Sequence, residues 1–250
     1  MDRRRRGSPP PRGGSPRGRR DGGERRGGRD GERRGSPRRA PEGVSREAAE
    51  EVRSTAGPKA AKVIRLLEEA SAAMARERWS DAQRLAGQAK GLAARSGAVR
   101  EALGLALYRA GKFHEALREL QAYRRITGRP DQNHLIADAH RAGGSPEKAV
   151  PLAQEALRAQ RIPDEVRAEA AVVGGAALAD MGRFEEALAL LRRFDRAPDV
   201  ARPHDLRVWY VTGDVLARAG RSNEARDVFQ RILRHDADAY DVAERLAALS

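Results

Sequence analysis

The 250-residue chain contains no cysteine. That absence excludes disulfides, thiolate metal sites and cysteine nucleophiles together, and it agrees with a reducing compartment. Aromatic residues make up only 4% of the chain, and β-branched side chains are sparse too, so little in the composition favours strands. Long apolar runs are also missing. The longest, AAVVGGAALA at 170–179, is closed by Glu169 and Asp180, and falls well short of the roughly 20 residues a membrane helix requires. The opening MDRRRRGSPPPRGG has no apolar stretch after its charges, unlike a secretory signal, so a cytoplasmic protein is expected. No GxGxxG, Walker loop or GxSxG occurs, which removes the geometry for phosphate cradling and for a nucleophile elbow. The five histidines, at 114, 134, 140, 204 and 235, include no pair four apart that would share a helical face, so no metal site is expected. Adjacent carboxylates such as Glu68 with Glu69, or Glu185 with Glu186, diverge by about 100° on a helix and cannot flank one bond. Neither catalysis nor a cofactor is expected.

Charge is abundant and unevenly placed. Residues 1–43 hold fifteen Arg against six Asp plus Glu, a net of +9, with Met1 and Ala40 as their only apolar side chains, whereas the remaining 207 residues carry a net of +4. Such a segment cannot bury enough apolar area to offset a chain entropy of roughly 1–2 kcal/mol per residue. Residues 1–44 are therefore expected to form a disordered Arg/Gly/Pro/Ser-rich tail. Its guanidinium groups, at Arg3, Arg4, Arg5, Arg6, Arg12, Arg17, Arg19, Arg20, Arg25 and Arg26, match phosphate oxygens and are candidates for RNA or another polyanion. Without aromatics to stack on bases, that binding would be sequence-blind and salt-sensitive. The alternative is a solubilising extension, and the six acidic residues weigh on that side.

Beyond Ser45 the chain is rich in Ala, Leu, Glu and Arg, strong helix formers. Apolar residues recur at helical spacing, as in Val63, Leu66, Leu67, Ala70 and Met74, so almost all helix is expected. Residues 45–58 read as a linker or short charged helix, and 59–250 as the folded domain. Breaks at regular intervals leave segments that align: ERWSDAQRLA, GKFHEALREL, GSPEKAVPLA, GRFEEALALL and GRSNEARDVF. Each places an alanine sixth, at Ala82, Ala116, Ala149, Ala187 and Ala225, with intervals of 34, 33, 38 and 38. Counting nineteen residues back gives units starting at Val63, Gly97, Pro130, Ala168 and Leu206, whose eighth residues are Ala70, Gly104, Ala137, Gly175 and Gly213.

Small residues at the eighth and twentieth positions, the Leu103–Gly104 pair, Trp209 at a fourth position and Phe113 and Phe184 in the turns resemble the tetratricopeptide repeat family, with about five repeats over residues 60–250. The resemblance implies a right-handed superhelical solenoid of helical hairpins, all α. Physically, two helices approach closely only where the contact residues are small, with large neighbours such as Leu120, Leu191 and Phe229 filling the grooves. Stacking buries faces that one hairpin alone cannot. ADAYDVAERLAALS, with Tyr240, Val242, Ala243, Leu246 and Leu249 on one side, reads as the terminal capping helix. Three departures stand out: Glu77 where a turn glycine is expected, Pro146 at the bulky turn position, and four extra residues in each of the last two intervals. The extra residues are expected to lengthen the second helix or its outgoing loop.

In such a solenoid the first helix of each unit lines the concave wall, with its second, fifth, ninth, twelfth and thirteenth positions facing inward. The register points to Glu101, Tyr108 and Arg109 in unit two, Asp131, His134, Asp138 and Arg141 in unit three, and Arg207, Tyr210 and Asp214 in unit five as contacts for a protein or peptide partner. The Lys and Asn pair with which some family members clamp a terminal carboxylate is not at these positions. Two functions follow as expectations: a non-catalytic adaptor or scaffold, or an RNA- or ribosome-associated factor that holds polyanion with the tail and protein with the repeats.

Overall fold

A computed structural model describes residues 43–160 and 162–249 of the chain. The expected tail, with all ten of its candidate arginines, lies outside the described residues apart from Gly43 and Val44. Among the described residues there are twelve α-helices and no strand. Helix α1 (Arg46–Ala56) and a single 3-10 turn (Gly57–Lys59) lead into five antiparallel hairpins. These are α2 (Ala60–Ala75) with α3 (Trp79–Leu92), α4 (Gly97–Arg109) with α5 (Phe113–Thr127), α6 (Asn133–Ala142) with α7 (Pro146–Arg158), α8 (Asp164–Asp180) with α9 (Phe184–Arg192), and α10 (Pro203–Arg218) with α11 (Ser222–His235). A short α12 (Val242–Ala248) closes the stack. No helix among the described residues is long and apolar enough to cross a membrane.

One turn design joins the two helices of every hairpin. The residue after the turn donates its backbone N–H to the carbonyl five residues back, at 2.9 Å in each case: Arg78 to Ala73, Lys112 to Leu107, Ser145 to His140, Arg183 to Leu178 and Arg221 to Leu216. This closure needs a left-handed residue just before the donor. Glycine supplies it at Gly111, Gly144, Gly182 and Gly220, while Glu77 adopts φ 57° in the first hairpin. A side chain there strains against its own backbone, so Glu77→Gly is expected to stabilise the domain by about 0.5–1 kcal/mol, after allowing for the greater chain entropy of glycine. The measurement is the urea midpoint at unchanged m-value.

The helix crossings explain the repeated small residues. All five twentieth-position alanines are fully buried. At the eighth position a methyl group added to Gly104 would meet Leu120 Cδ2 at 2.6 Å, on Gly175 it would meet Leu191 Cγ at 2.9 Å, and on Gly213 Phe229 Cε1 at 2.6 Å. Where the eighth residue is Ala70 or Ala137, the facing position four beyond the conserved alanine is Ala86 or Ala153. Each hairpin therefore carries either a glycine opposite a large side chain or an alanine opposite an alanine.

The extra residues of the last two intervals do not lengthen a second helix. Helix α9 is short, nine residues. The additions enter the outgoing loops and the first turn of the following helix, where α8 starts directly after Pro163 and α10 carries Pro203 at its first position. Proline suits a helix start because its φ is preset and its missing N–H is not needed there. The 193–202 loop is pinned from α10 and α11: Asp195 accepts from Trp209 Nε1 at 3.0 Å and from Arg231 at 2.7 Å, and the Arg231 guanidinium lies 3.8 Å from the Trp209 ring centre. The cap also differs in detail. Val242 is buried, with Leu246 and Leu249 packed against the core, but Ala243 is exposed, and Tyr240 sits at φ 50° and is 53% exposed.

Packing is not uniform along the stack. One apolar core runs from Val52 to Ala116 and a second from Ala137 to Val242. The seam between them, at α4, α5 and α6, sets polar groups beside the buried Leu120, Tyr123 and Ile136. Tyr123 donates to Asp131 at 2.9 Å, Gln132 donates to Glu101 at 2.7 Å, and Asn133, fully buried at the start of α6, has neither side-chain polar atom hydrogen-bonded. Helix α1 lies across the N-terminal ends of the inner helices. Its Glu51 accepts from the Ser96 hydroxyl at 2.6 Å and the Gly97 N–H at 3.0 Å, and its Glu47 pairs with Arg129 at 3.1 Å.

Candidate functional site

The first helices of successive hairpins touch one another, α2 against α4, α6 against α8 and α8 against α10, while the second helices make no comparable contact. The first helices thus form the inner wall of the curve, and the residues picked out by repeat register lie on it. The structure shows what each of them does there.

Several are joined in one chain of hydrogen bonds and ion pairs. The Tyr108 hydroxyl donates to Asp138. Asp138 also holds Arg141 at 3.0 Å, and Arg141 reaches Asp180 at 3.2 Å. Asp180 takes Arg218 at 3.1 Å, Arg218 lies 3.6 Å from Asp214, and Asp214 accepts from Arg245 of α12 at 2.8 Å. Arg245 then meets Asp241 at 3.1 Å, to which Tyr210 donates at 2.5 Å. Acid and base alternate from Asp138 of unit three to Asp241 of the cap, so that Asp138 is matched by Arg141, and Asp214 by Arg218 and Arg245.

The remaining candidates separate. Asp131 faces Tyr123 and Arg129 at the seam, and Glu101 is held by Gln132. Arg207 pairs with Glu169 at 3.1 Å, and Arg109 is exposed without an ion-pair partner among the described residues. Burial pushes the Glu101 and Glu169 carboxyls up and the His134 imidazole down, in each case favouring the neutral form. Perturbed groups of this kind also mark catalytic sites, but these three are not hydrogen-bonded to one another. His134 Nδ1 instead lies 3.0 Å from the Asp131 carbonyl. Among the described residues no group of His, Asp and Glu could hold a metal ion.

Sequence reasoning missed a cleft towards the C-terminal end of this wall. Between α8 and α10 lies an opening of about 290 Å³. Val172, Val173, Ala176 and Val211 form its apolar surface, and Tyr210 with Tyr240 forms a wall, their rings 4.8 Å apart. Asp138, Arg141 and Arg207 stand at the rim. Glu169, Asp180 and Arg218 were also missed, although they occupy the second position of unit four and the thirteenth of units four and five; the register alone would have found them. Arg245 and Asp241 belong to the cap and have no place in the register.

The tetratricopeptide repeat family model matches residues 134–201 and 174–242. No curated protein matches the chain in sequence. Among solved structures, TTC0263, a thermophilic TPR protein of Thermus thermophilus, is 17% identical with a TM-score of 0.59, over 75% of this chain and 98% of that one. YrrB, a TPR protein with an unusual peptide-binding site, is 18% identical with a TM-score of 0.54, over 80% of this chain and 95% of that one. The apo quorum sensor NprR of B. thuringiensis is 15% identical with a TM-score of 0.62, over 81% of this chain but only 61% of its own. The recurring turn and the small residues at each crossing agree with the family match over the last three hairpins, and residues 134–242 belong to the tetratricopeptide repeat family.

Proposed function

We propose that the protein is a non-catalytic adaptor or scaffold whose inner wall holds a segment of a protein partner. The observation that carries this reading is the open cleft on the inner wall, lined by two tyrosines and bordered by arginines, a composition typical of residues that dominate binding energy at interfaces. YrrB's peptide-binding site supports the same use of the fold. The test is affinity capture with the full chain. Reversing charge at Asp138 and Arg141 is expected to remove specific partners at unchanged helicity, whereas reversing Arg118 and Arg125, on the second helix of unit two, leaves capture intact. Equal capture by the inner-wall variant would rule that surface out.

A second reading rests on residues 1–43 and their net charge of +9: an RNA- or ribosome-associated factor. Retention on RNA that falls steeply with salt and disappears in a chain starting at Ser45 supports it. Absence of retention by the full chain removes it.

A further inference from the structure

We propose that the cleft between α8 and α10 is an anchor pocket for one bulky apolar side chain of an extended partner peptide, with an acidic residue of the same peptide held by Arg207 at the mouth. This deepens the groove reading and rests on it.

Size is the first argument. An opening of about 290 Å³ lies at the small end of ligand sites, which run from roughly 300 to 1,000 Å³. It suits a side chain better than a cofactor. Its chemistry agrees, because Val172, Ala176 and Val211 offer apolar surface and Tyr210 an aromatic face. An aliphatic or aromatic side chain is stabilised by leaving water for such surroundings. Ala176 is small where the register would allow a long side chain, and that is what leaves the opening.

The wall is also built in a costly way. Tyr240 holds φ 50°, a strained conformation that a bulky residue adopts rarely. In it the ring stays 53% exposed and lies beside Tyr210 instead of packing into the core.

Charge decides what lies next to the anchor. Asp138, Arg141, Asp180 and Arg218 balance within the ion-pair chain. Outside that chain, Arg109 and Arg207 face a single carboxylate, Glu169. The mouth therefore carries excess positive charge, and Arg207, 47% exposed at its side chain, presents it to solvent. A peptide carboxylate is the complementary group.

The test is selection of a phage-displayed random peptide library on the full chain. Enriched peptides are expected to share a large apolar residue with Asp or Glu within three positions. Ala176→Arg, which fills the cleft, is expected to weaken the selected peptides at least tenfold. Arg207→Glu, an exposed change that keeps the fold even if Ala176→Arg does not, is expected to convert the acidic preference into a basic one. Peptides that ignore both substitutions but are lost on charge reversal at Asp131 and Asp214, inner-wall residues outside the cleft lining, overturn the cleft and leave the groove reading standing. Peptides indifferent to all of these changes overturn both. Failure to enrich any peptide removes the cleft as a peptide anchor.

Discussion

Gly213→Ala is expected to destabilise the domain by about 1–3 kcal/mol, although on an isolated helix the same change would be favourable by about 1 kcal/mol. The reversal of sign comes from one neighbour. A Cβ at position 213 would lie 2.6 Å from Phe229 Cε1 and 2.8 Å from Cζ, and the ring, 1% exposed, has nowhere to move. Phe229→Ala alone removes most of a large buried side chain and is expected to cost about 3–5 kcal/mol. In that background Gly213→Ala should become neutral or stabilising, since the double variant reproduces the alanine pair that the chain already uses at Ala70 with Ala86 and at Ala137 with Ala153. A double-mutant cycle by urea denaturation measures the coupling. Additive effects would show that the crossing does not set the glycine.

The second large effect concerns a buried carboxylate. Glu119 of α5, 10% exposed at its side chain, accepts from Lys90 of α3 at 2.6 Å and from Arg100 of α4 at 2.7 Å. It thereby joins three helices of two hairpins. Burial alone would push its carboxyl up, but hydrogen bonds from the ammonium and the guanidinium hold it below the usual range. Glu119→Gln leaves both cations without their counter-charge and is expected to cost about 1–3 kcal/mol at neutral pH. A carboxyl lowered on folding contributes stability that is fully present above its unfolded value, near pH 4.3, and is lost as pH falls through the folded value. The deficit of the Gln variant should therefore shrink below about pH 4 and be absent once the wild-type carboxyl is protonated. A deficit that persists unchanged in acid would show that the carboxylate charge is not what matters.

These two sites differ in how far sequence reveals them. The repeat was readable because the crossing residues must be small and recur in fixed register, and Leu120, Leu191 and Phe229 could be placed opposite them on helical spacing alone. Glu119 looks, in sequence, like any charged residue on an outer helix. It is buried because Arg100, at the position where Trp209 stands in unit five, folds over it together with Lys90. The inner wall divides in the same way. Position along the repeat places Asp138 and Arg141 correctly, but it does not show that Asp180 of the next unit pairs with Arg141 and is itself paired with Arg218 of the unit after. The cleft was the hardest to see. Val172 and Ala176 lie in an apolar run that reads as core, and Tyr240 reaches the wall through a backbone angle that nothing in its own residue type favours.

The seam at α4, α5 and α6 bears on how the molecule comes apart. In a linear array stability is the sum of each unit's own stability and its coupling to its neighbours. A joint that buries an unpartnered Asn133 beside its apolar residues couples less strongly than one made wholly of packed apolar surface. The two cores on either side are therefore expected to behave as separate cooperative blocks, hairpins one and two with α1, and hairpins three to five with α12. Two unfolding transitions rather than one are then expected in urea denaturation followed by a probe in each block.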